Sequence, residues 1–270
     1  MHYNSEKQID FPNLKDLYFY ISYTETDKEN HRIGIDLHTH DKLELYINLS
    51  GDISFLVENN LYPLNRGDII IARPGEYHHC VYRSDAMHKL FWILTDFDNK
   101  LFSFFNDSKT NFLSPNNKSR EEIINFCHSL LSEEMSQLDK TYSFLRLLIL
   151  IKDNLSDQNT NSGNLPQELK NVLDYIECHI AEDLQITAIA KALYLSESTI
   201  ERRFKEFLKI KPSDFIRKKK MILAAELLKK GESVLNAGIN CGYSDNSHFI
   251  KLFKEYYGTT PYKFKKGFLD

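Results

Sequence analysis

The spacing of apolar residues changes character along the chain, and each change marks a different kind of element. Up to residue 95 they fall in short runs rich in Ile, Tyr, Phe and Val, at 16–23, 33–38, 43–49, 53–58, 68–72, 78–83 and 89–95. Ser50-Gly51-Asp52, Asn59-Asn60, Arg66-Gly67-Asp68 and Pro74-Gly75 punctuate these runs. Short strands at regular spacing with turn residues between them predict a barrel or sandwich. Leu43, Leu45, Ile47 and Leu49 alternate with Glu44, Tyr46 and Asn48, so one of the two sets must face the interior. From residue 119 the period becomes helical. Ser119-Arg120-Glu121-Glu122 carries capping chemistry ahead of Ile123, Ile124, Phe126, Cys127, Leu130 and Leu131. A second helix over 141–155 is apolar on nearly every side and so must be buried on more than one. The stretch that follows is polar, small and without period, as a flexible linker is.

Beyond the linker, helical patterns repeat. Asn236 to Lys254 reads as helix, tight turn, helix: Gly242 stops the first, Ser244-Asp245 caps the second, and Phe249 and Phe253 share one face of it. Ala190, Leu193 and Ser196 recur 48 residues later as Gly238, Cys241 and Ser244. After one extra residue in the second turn, Ile200, Phe204, Lys205, Glu206, Pro212 and Phe215 return 49 residues on as Phe249, Phe253, Lys254, Glu255, Pro261 and Phe264. Two supersecondary units of one kind follow. A helix-turn-helix can lay its second helix in a DNA major groove, and the repeat places Arg202 and Lys251 at the same point of both such helices.

Residues 166–266 resemble the DNA-binding domain of the AraC-type transcription regulators, two helix-turn-helix units joined by a long helix. The motif from Gly242-Tyr243-Ser244-Asp245 through Ser247, Phe249 and Phe253-Lys254, with Gly258-Thr259-Thr260-Pro261 behind it, carries the likeness. Tyr194 and Lys209 stand where that family usually has Gly, Lys220 where it has Arg, and Ala237-Gly238 where it has Ile-Ala. A Gly inside a helix costs roughly 1 kcal/mol relative to Ala, so the second unit is expected to be locally soft.

Charge bears this out. The whole chain of 270 residues is net −4, which alone argues against a nucleic-acid binder. Residues 1–165, however, hold 16 Lys+Arg against 24 Asp+Glu, and residues 166–270 hold 18 against 14, or −8 and +4. Only the second half has the balance of a domain that touches phosphates, and Arg217-Lys218-Lys219-Lys220 is expected to lie near the backbone. Four separated cysteines with no CxxC pair suit core thiols in a reducing cytoplasm. No apolar run reaches the length of a membrane span.

The histidines add chemistry to the strands. His38, His40 and Glu44 are at even positions, and His78 follows Pro74-Gly75. The series His38-x-His40-x-x-x-Glu44, six residues, Gly51, then Gly67 and Pro74-Gly75-x-x-His78 resembles the cupin fold over residues 30–85, although the earlier glycine of that motif has no counterpart at the usual spacing. The resemblance implies a barrel of the kind many AraC-type regulators carry ahead of their DNA-binding domain. In metal-binding cupins His38, His40, Glu44 and His78 would be the ligands, suited to Fe, Mn, Zn or Ni. The competing reading, favoured here, is a hydrogen-bonded lattice with no ion and no cofactor. His79 alternates with His78 and is expected to point outward. Tyr18, Tyr20, Tyr46, Tyr62, Tyr77, Tyr82 and Trp92 are candidate walls for a small polar, sugar-like effector.

The sequence therefore predicts an α+β multidomain protein: a cupin-like sensor barrel with effector contacts from His38, His40, Glu44, Tyr46, His78 and Trp92 (1–115), a helical dimerisation element (116–156), a linker (157–165) and an all-α double helix-turn-helix domain (166–270). Ser198, Thr199, Glu201, Arg202, Arg203, Asn246, Ser247 and Lys251 are the expected DNA contacts. The partners are double-stranded DNA, a small-molecule effector and a second copy of the chain, with no membrane; the location is the cytoplasm. The function is DNA-binding regulation without catalysis, and the alternative is a metal-dependent cupin enzyme fused to a DNA-binding domain.

Overall fold

The computed structural model describes residues 3–11, 14, 17–26, 37–98, 100–156 and 165–269. Most of the strand expected at 33–38, and nearly all of the linker at 157–165, lie outside them. Two compact units divide the chain, residues 1–164 and 165–270.

In the first unit the strands are β1 (Tyr3–Gln8), β2 (Phe19–Thr26), β3 (Leu43–Ser50), β4 (Ile53–Val57), β5 (Asn60–Leu64), β6 (Ile69–Ala72), β7 (His78–Tyr82), β8 (His88–Thr95) and β9 (Phe112–Leu113). They form a six-stranded sheet ordered β1-β2-β8-β3-β6-β9 and a three-stranded sheet ordered β5-β4-β7, every pairing antiparallel. The alternation in β3 does not separate a wet face from a dry one, because both faces are covered. Leu43, Leu45 and Ile47 pack with Ile21, Ile69, Ile71, Phe91 and Ile93 against the helices α2 (Asn117–Leu131) and α3 (Gln137–Ser156), which follow the single turn α1 (Phe104–Asp107). Tyr46 faces the other way, into a second core with Ile70 and Phe112 from its own sheet and Phe55, Tyr62 and Cys80 from the smaller one. The set carrying Glu44 and Tyr46 therefore lines the space between the sheets.

Helix α2 is capped by Asn116, whose side chain accepts from the Ser119 amide at 3.0 Å, and not by Ser119, which is buried. Helix α3 starts four residues before its expected position. It buries Phe144, Leu147, Leu148 and Ile151 in the first core.

The second unit runs α4 (Gln167–Cys178), α5 (Ile186–Ala192), α6 (Glu197–Arg203), a π-helical turn (Phe204–Leu208), α7 (Pro212–Lys229), α8 (Val234–Asn240), α9 (Asn246–Tyr257) and α10 (Pro261–Leu269). The internal repeat is visible in the backbone. Ser196 and Asp245, 49 apart, cap α6 and α9 by accepting amide hydrogens of the first turn. Tyr194 and Gly242, 48 apart, both take a left-handed conformation, φ 55° and 74°. A side chain fits only the first: Tyr194 is 95% exposed, while a Cβ on Gly242 would lie 2.3 Å from the Glu182 carbonyl oxygen. Gly238 also has a packing reason, since a Cβ there would come within 3.0 Å of the Phe249 ring. It marks a close helix contact.

Candidate functional sites

The first cluster of chemistry-bearing side chains lies in the first unit. A two-way backbone bridge between His38 and His78 (3.2 and 3.0 Å) brings an isolated segment against β7. His40 and Glu44 approach from the same side, with His40 Nε2 2.8 Å and His78 Nε2 3.2 Å from one carboxylate oxygen, Glu44 Oε2. The His78 Nδ1–H donates to the Glu76 carbonyl, and His40 Nδ1 lies 3.0 Å from that of Lys42. These outer bonds fix both rings. Burial alone would push the Glu44 carboxyl up. The charge on His78 and the bonds from His40 and His78 outweigh it and hold Glu44 below the usual carboxylate range. Burial works against a charged His78 as well, and the Glu44 carboxylate reverses it, leaving His78 raised.

One candidate ligand atom from each of His38, His40, Glu44 and His78 lies within 4.8 Å of the others. Three imidazoles and a carboxylate at that separation, with two of the rings, His40 and His78, held from outside, fit a divalent transition metal. Bound there, such an ion would supply Lewis acidity, and these four residues would hold it. The same geometry is complete as a charge-assisted hydrogen-bond lattice.

Tyr46 continues the wall two residues beyond Glu44, its ring 4.8 Å from Phe55, and Trp92 is its partner on β8. The Trp92 Nε1–H and the Ser22 hydroxyl, on neighbouring strands, are buried without a hydrogen-bond partner among the described residues. Phe55 lies between the His/Glu cluster and Tyr46, its ring 6.1 Å from that of His78, and Ser22, which sequence reasoning passed over, is the partner of Trp92 on β2. His79 does alternate with His78 but is buried, contrary to the outward position expected of it. The reason is that β7 is covered on both faces.

The second candidate site is the pair of helices after the two turns. Ser198, Glu201 and Arg202 on α6 and Ser247 and Lys251 on α9 are exposed. No ion pair among the described residues holds Arg202 or Lys251. Two other expected contacts are turned to internal work: Arg203 bridges Glu168 at 3.1 Å and Glu206 at 3.4 Å, and the Thr199 hydroxyl bonds Ser196 at 2.8 Å. The Asn246 side-chain oxygen is buried with no hydrogen-bond partner among the described residues. Lys205 and Lys254 are exposed one turn beyond Arg202 and Lys251 and complete each face. Their recurrence at the 49-residue offset was the signal for them.

The basic run on α7 is not a free surface. Lys219 is buried in an ion pair with Glu177, and Lys220 is buried with its Nζ 2.5 Å from the Glu182 carbonyl and 5.3 Å from the Tyr243 ring centre. Burial lowers the Lys220 pKa. Arg217 pairs with Asp214 at 2.7 Å. Helix packing consumed the two lysines, while Arg217 stays exposed in a pair within its own helix, a split that periodicity in a run of four cations could not reveal.

The third feature is apolar. Leu138, Tyr142, Leu145 and Ile149 are the exposed large apolar residues of α3, at 78, 58, 38 and 44%. Their spacing of four, three and four makes one stripe, the seam of a coiled coil. Phe126 of α2 adjoins it, its ring 6.0 Å from that of Tyr142.

Comparison with known proteins finds two family matches. Residues 18–101 match the AraC-like ligand binding domain and residues 189–267 match a helix-turn-helix domain. The HTH-type transcriptional activator RhaR of Mannheimia succiniciproducens is 24% identical over 264 residues, covering 90% of this chain and 91% of that protein. RhaS of Escherichia fergusonii, another HTH-type transcriptional activator, is 28% identical over 46% of this chain and 44% of its own length. The regulatory protein PocR of Salmonella typhimurium is 30% identical over 44% of this chain and 41% of its own length. The chain thus spans less than half the length of the latter two relatives. No helix among the described residues is long and apolar enough to cross a membrane.

Proposed function

This chain belongs to the AraC-type transcription regulators, and we propose that it is a homodimeric, cytoplasmic regulator whose barrel binds a small polar, sugar-like metabolite and whose helices α6 and α9 read DNA. The observation that carries the proposal is the pair of register-matched helices presenting Arg202 and Lys251 with no ion pair among the described residues, on a domain with its own apolar core. Unpaired cations on an exposed helix face suit phosphates and guanine edges. Two such helices in one domain can enter successive major-groove segments about 34 Å apart.

The barrel supplies the regulation. A ligand seated against His40, Glu44, Tyr46 and Trp92 can satisfy the buried Trp92 and Ser22 donors, and carbohydrate hydroxyls stacked on aromatic faces have that chemistry. The domain division proposed is barrel, helical pair, linker and DNA-binding domain. The seam on α3 is the surface for a second copy, since self-complementary apolar stripes pair two-fold. The protein is a regulator and not an enzyme. In that role the His/Glu cluster braces the strands.

The test combines DNA and ligand. Duplexes recovered by the full chain from a random-sequence pool are titrated in the presence of sugars and sugar acids that raise its melting temperature. The expected result is an affinity shifted by about 5–150-fold by one such compound, with the same factor on ligand affinity when DNA is added. Recovery of no preferred DNA would overturn the reading.

A further inference from the structure

The two reading faces can be compared residue by residue, and we propose that they recognise related but unequal half-elements, with Glu201 and Ile250 as the residues that make them unequal. The element under α6 then carries a guanine beside a cytosine, and the element under α9 a guanine beside a thymine. The inference rests on the DNA-binding reading and adds the base chemistry to it.

The caps Ser196 and Asp245 start both helices at the same offset of 49, so equal positions point in equal directions. The exposed residues include Ser198 and Arg202 on α6 and Ser247 and Lys251 on α9, each pair spaced i, i+4 on one stripe of its helix. A hydroxyl near the first turn and a cation in the middle are thus presented twice in one register, and an exposed lysine follows each, Lys205 in the π-helical turn after α6 and Lys254 on α9 itself. Arg and Lys in the middle position are the usual partners of guanine O6 and N7, and the terminal lysines are placed for phosphates.

The faces differ one residue before the central cation. Glu201 is exposed and makes no ion pair among the described residues, although Lys205 lies one turn away. A carboxylate on a face that meets DNA is repelled by phosphate. It fits where it can accept from an exocyclic amino group, and cytosine N4 is its usual partner. Its counterpart 49 residues on, Ile250, is partly buried with one side packed against the apolar core of the domain, and it has no polar atom in its side chain. An aliphatic group reads the thymine methyl by contact and cannot accept the cytosine donor. Position 199/248 also differs: the Thr199 hydroxyl is engaged by Ser196, whereas the His248 ring is exposed, 6.2 Å from that of Tyr243.

The test is selection from a random-sequence duplex pool by the full chain and by three variants, Glu201→Ile, Ile250→Glu and the double exchange. Thermal melts check that each variant keeps the parent fold. The parent should enrich two guanine-containing elements about one helical turn apart, one with C and one with T at the neighbouring base. Glu201→Ile should lower the preference for that C by about tenfold or more, the usual effect of one base contact, and leave the other element unchanged. Ile250→Glu should do the reverse, and the double exchange should swap the two preferences. Variants whose base profiles match the parent's overturn the pairing while leaving DNA binding intact. If the parent enriches no sequence, the DNA-binding premise itself fails and the inference goes with it.

Discussion

The two units treat their polar side chains in opposite ways. In the first, the chemistry-bearing groups close on one another: His40 and His78 both reach Glu44, and the exposed residues of α3 include an apolar stripe. In the second, the core is apolar, and Arg202, Lys205, Lys251 and Lys254 are left exposed. A group already satisfied inside the fold adds little to binding a polyanion, whereas an unpaired exposed cation loses only water. The difference points the first unit toward a small ligand and a second copy of the chain, and the second toward nucleic acid.

The largest effects should come from α3, where one turn separates core from seam. Leu148→Glu puts a carboxylate into the first core and should cost roughly 3 kcal/mol or more, unfolding the barrel unit in a thermal melt. Leu148 is therefore no test of association. Leu145→Glu on the seam should leave the fold intact and yield a monomer by sedimentation. A monomeric parent would remove the dimer from the contrast.

Next comes Gly242→Ala, which adds a left-handed strain and a collision with the Glu182 carbonyl, at roughly 2–3 kcal/mol on the second unit. The matching change Tyr194→Gly should move stability by no more than about 1 kcal/mol, since that site is open. Chemical denaturation of residues 165–270 within the full chain reads both.

Glu44→Gln should cost the first unit about 1–3 kcal/mol by removing the carboxylate that two histidines share. It should abolish the ligand response and leave affinity for DNA unchanged, because Glu44 belongs to the other unit. Weakened DNA binding without ligand would break the division of labour.

The smaller effects lie on α6. Arg202→Ala should lose about 1–3 kcal/mol of affinity for the preferred site and relax one base position. The adjacent Arg203→Ala should do neither, and cost less than about 1 kcal/mol of stability through its exposed pairs with Glu168 and Glu206. Competition binding against single-base variants separates the two residues.

Much of this was legible in the sequence because it depends on period and spacing. The repeat of Phe204 and Phe253, and the even spacing of His38, His40 and Glu44, survive any detail of packing. Strand β1 was not legible: Tyr3–Gln8 is mostly polar and is held as an edge strand by β2 alone. Strand β5 was hidden by Pro63, which is tolerated at the edge of the smaller sheet. The fates of Lys219, Lys220 and Arg203 depend on Glu177, Glu182 and Glu168, far away in sequence, so exposure could not be assigned to them from local pattern. Helix α3 shows the same limit, since an apolar helix does not announce which stripe the core leaves uncovered.

The central claim is that α6 and α9 form a DNA-reading surface built from unpaired cations. The direct test is the affinity of the full chain for its selected duplex, measured by fluorescence anisotropy between about 50 and 200 mM salt. The expected result is a log–log decline of affinity with salt that becomes shallower by about one unit in Lys254→Ala and stays unchanged in Lys219→Ala. An affinity indifferent to salt, or a slope that Lys219→Ala flattens and Lys254→Ala does not, would contradict it.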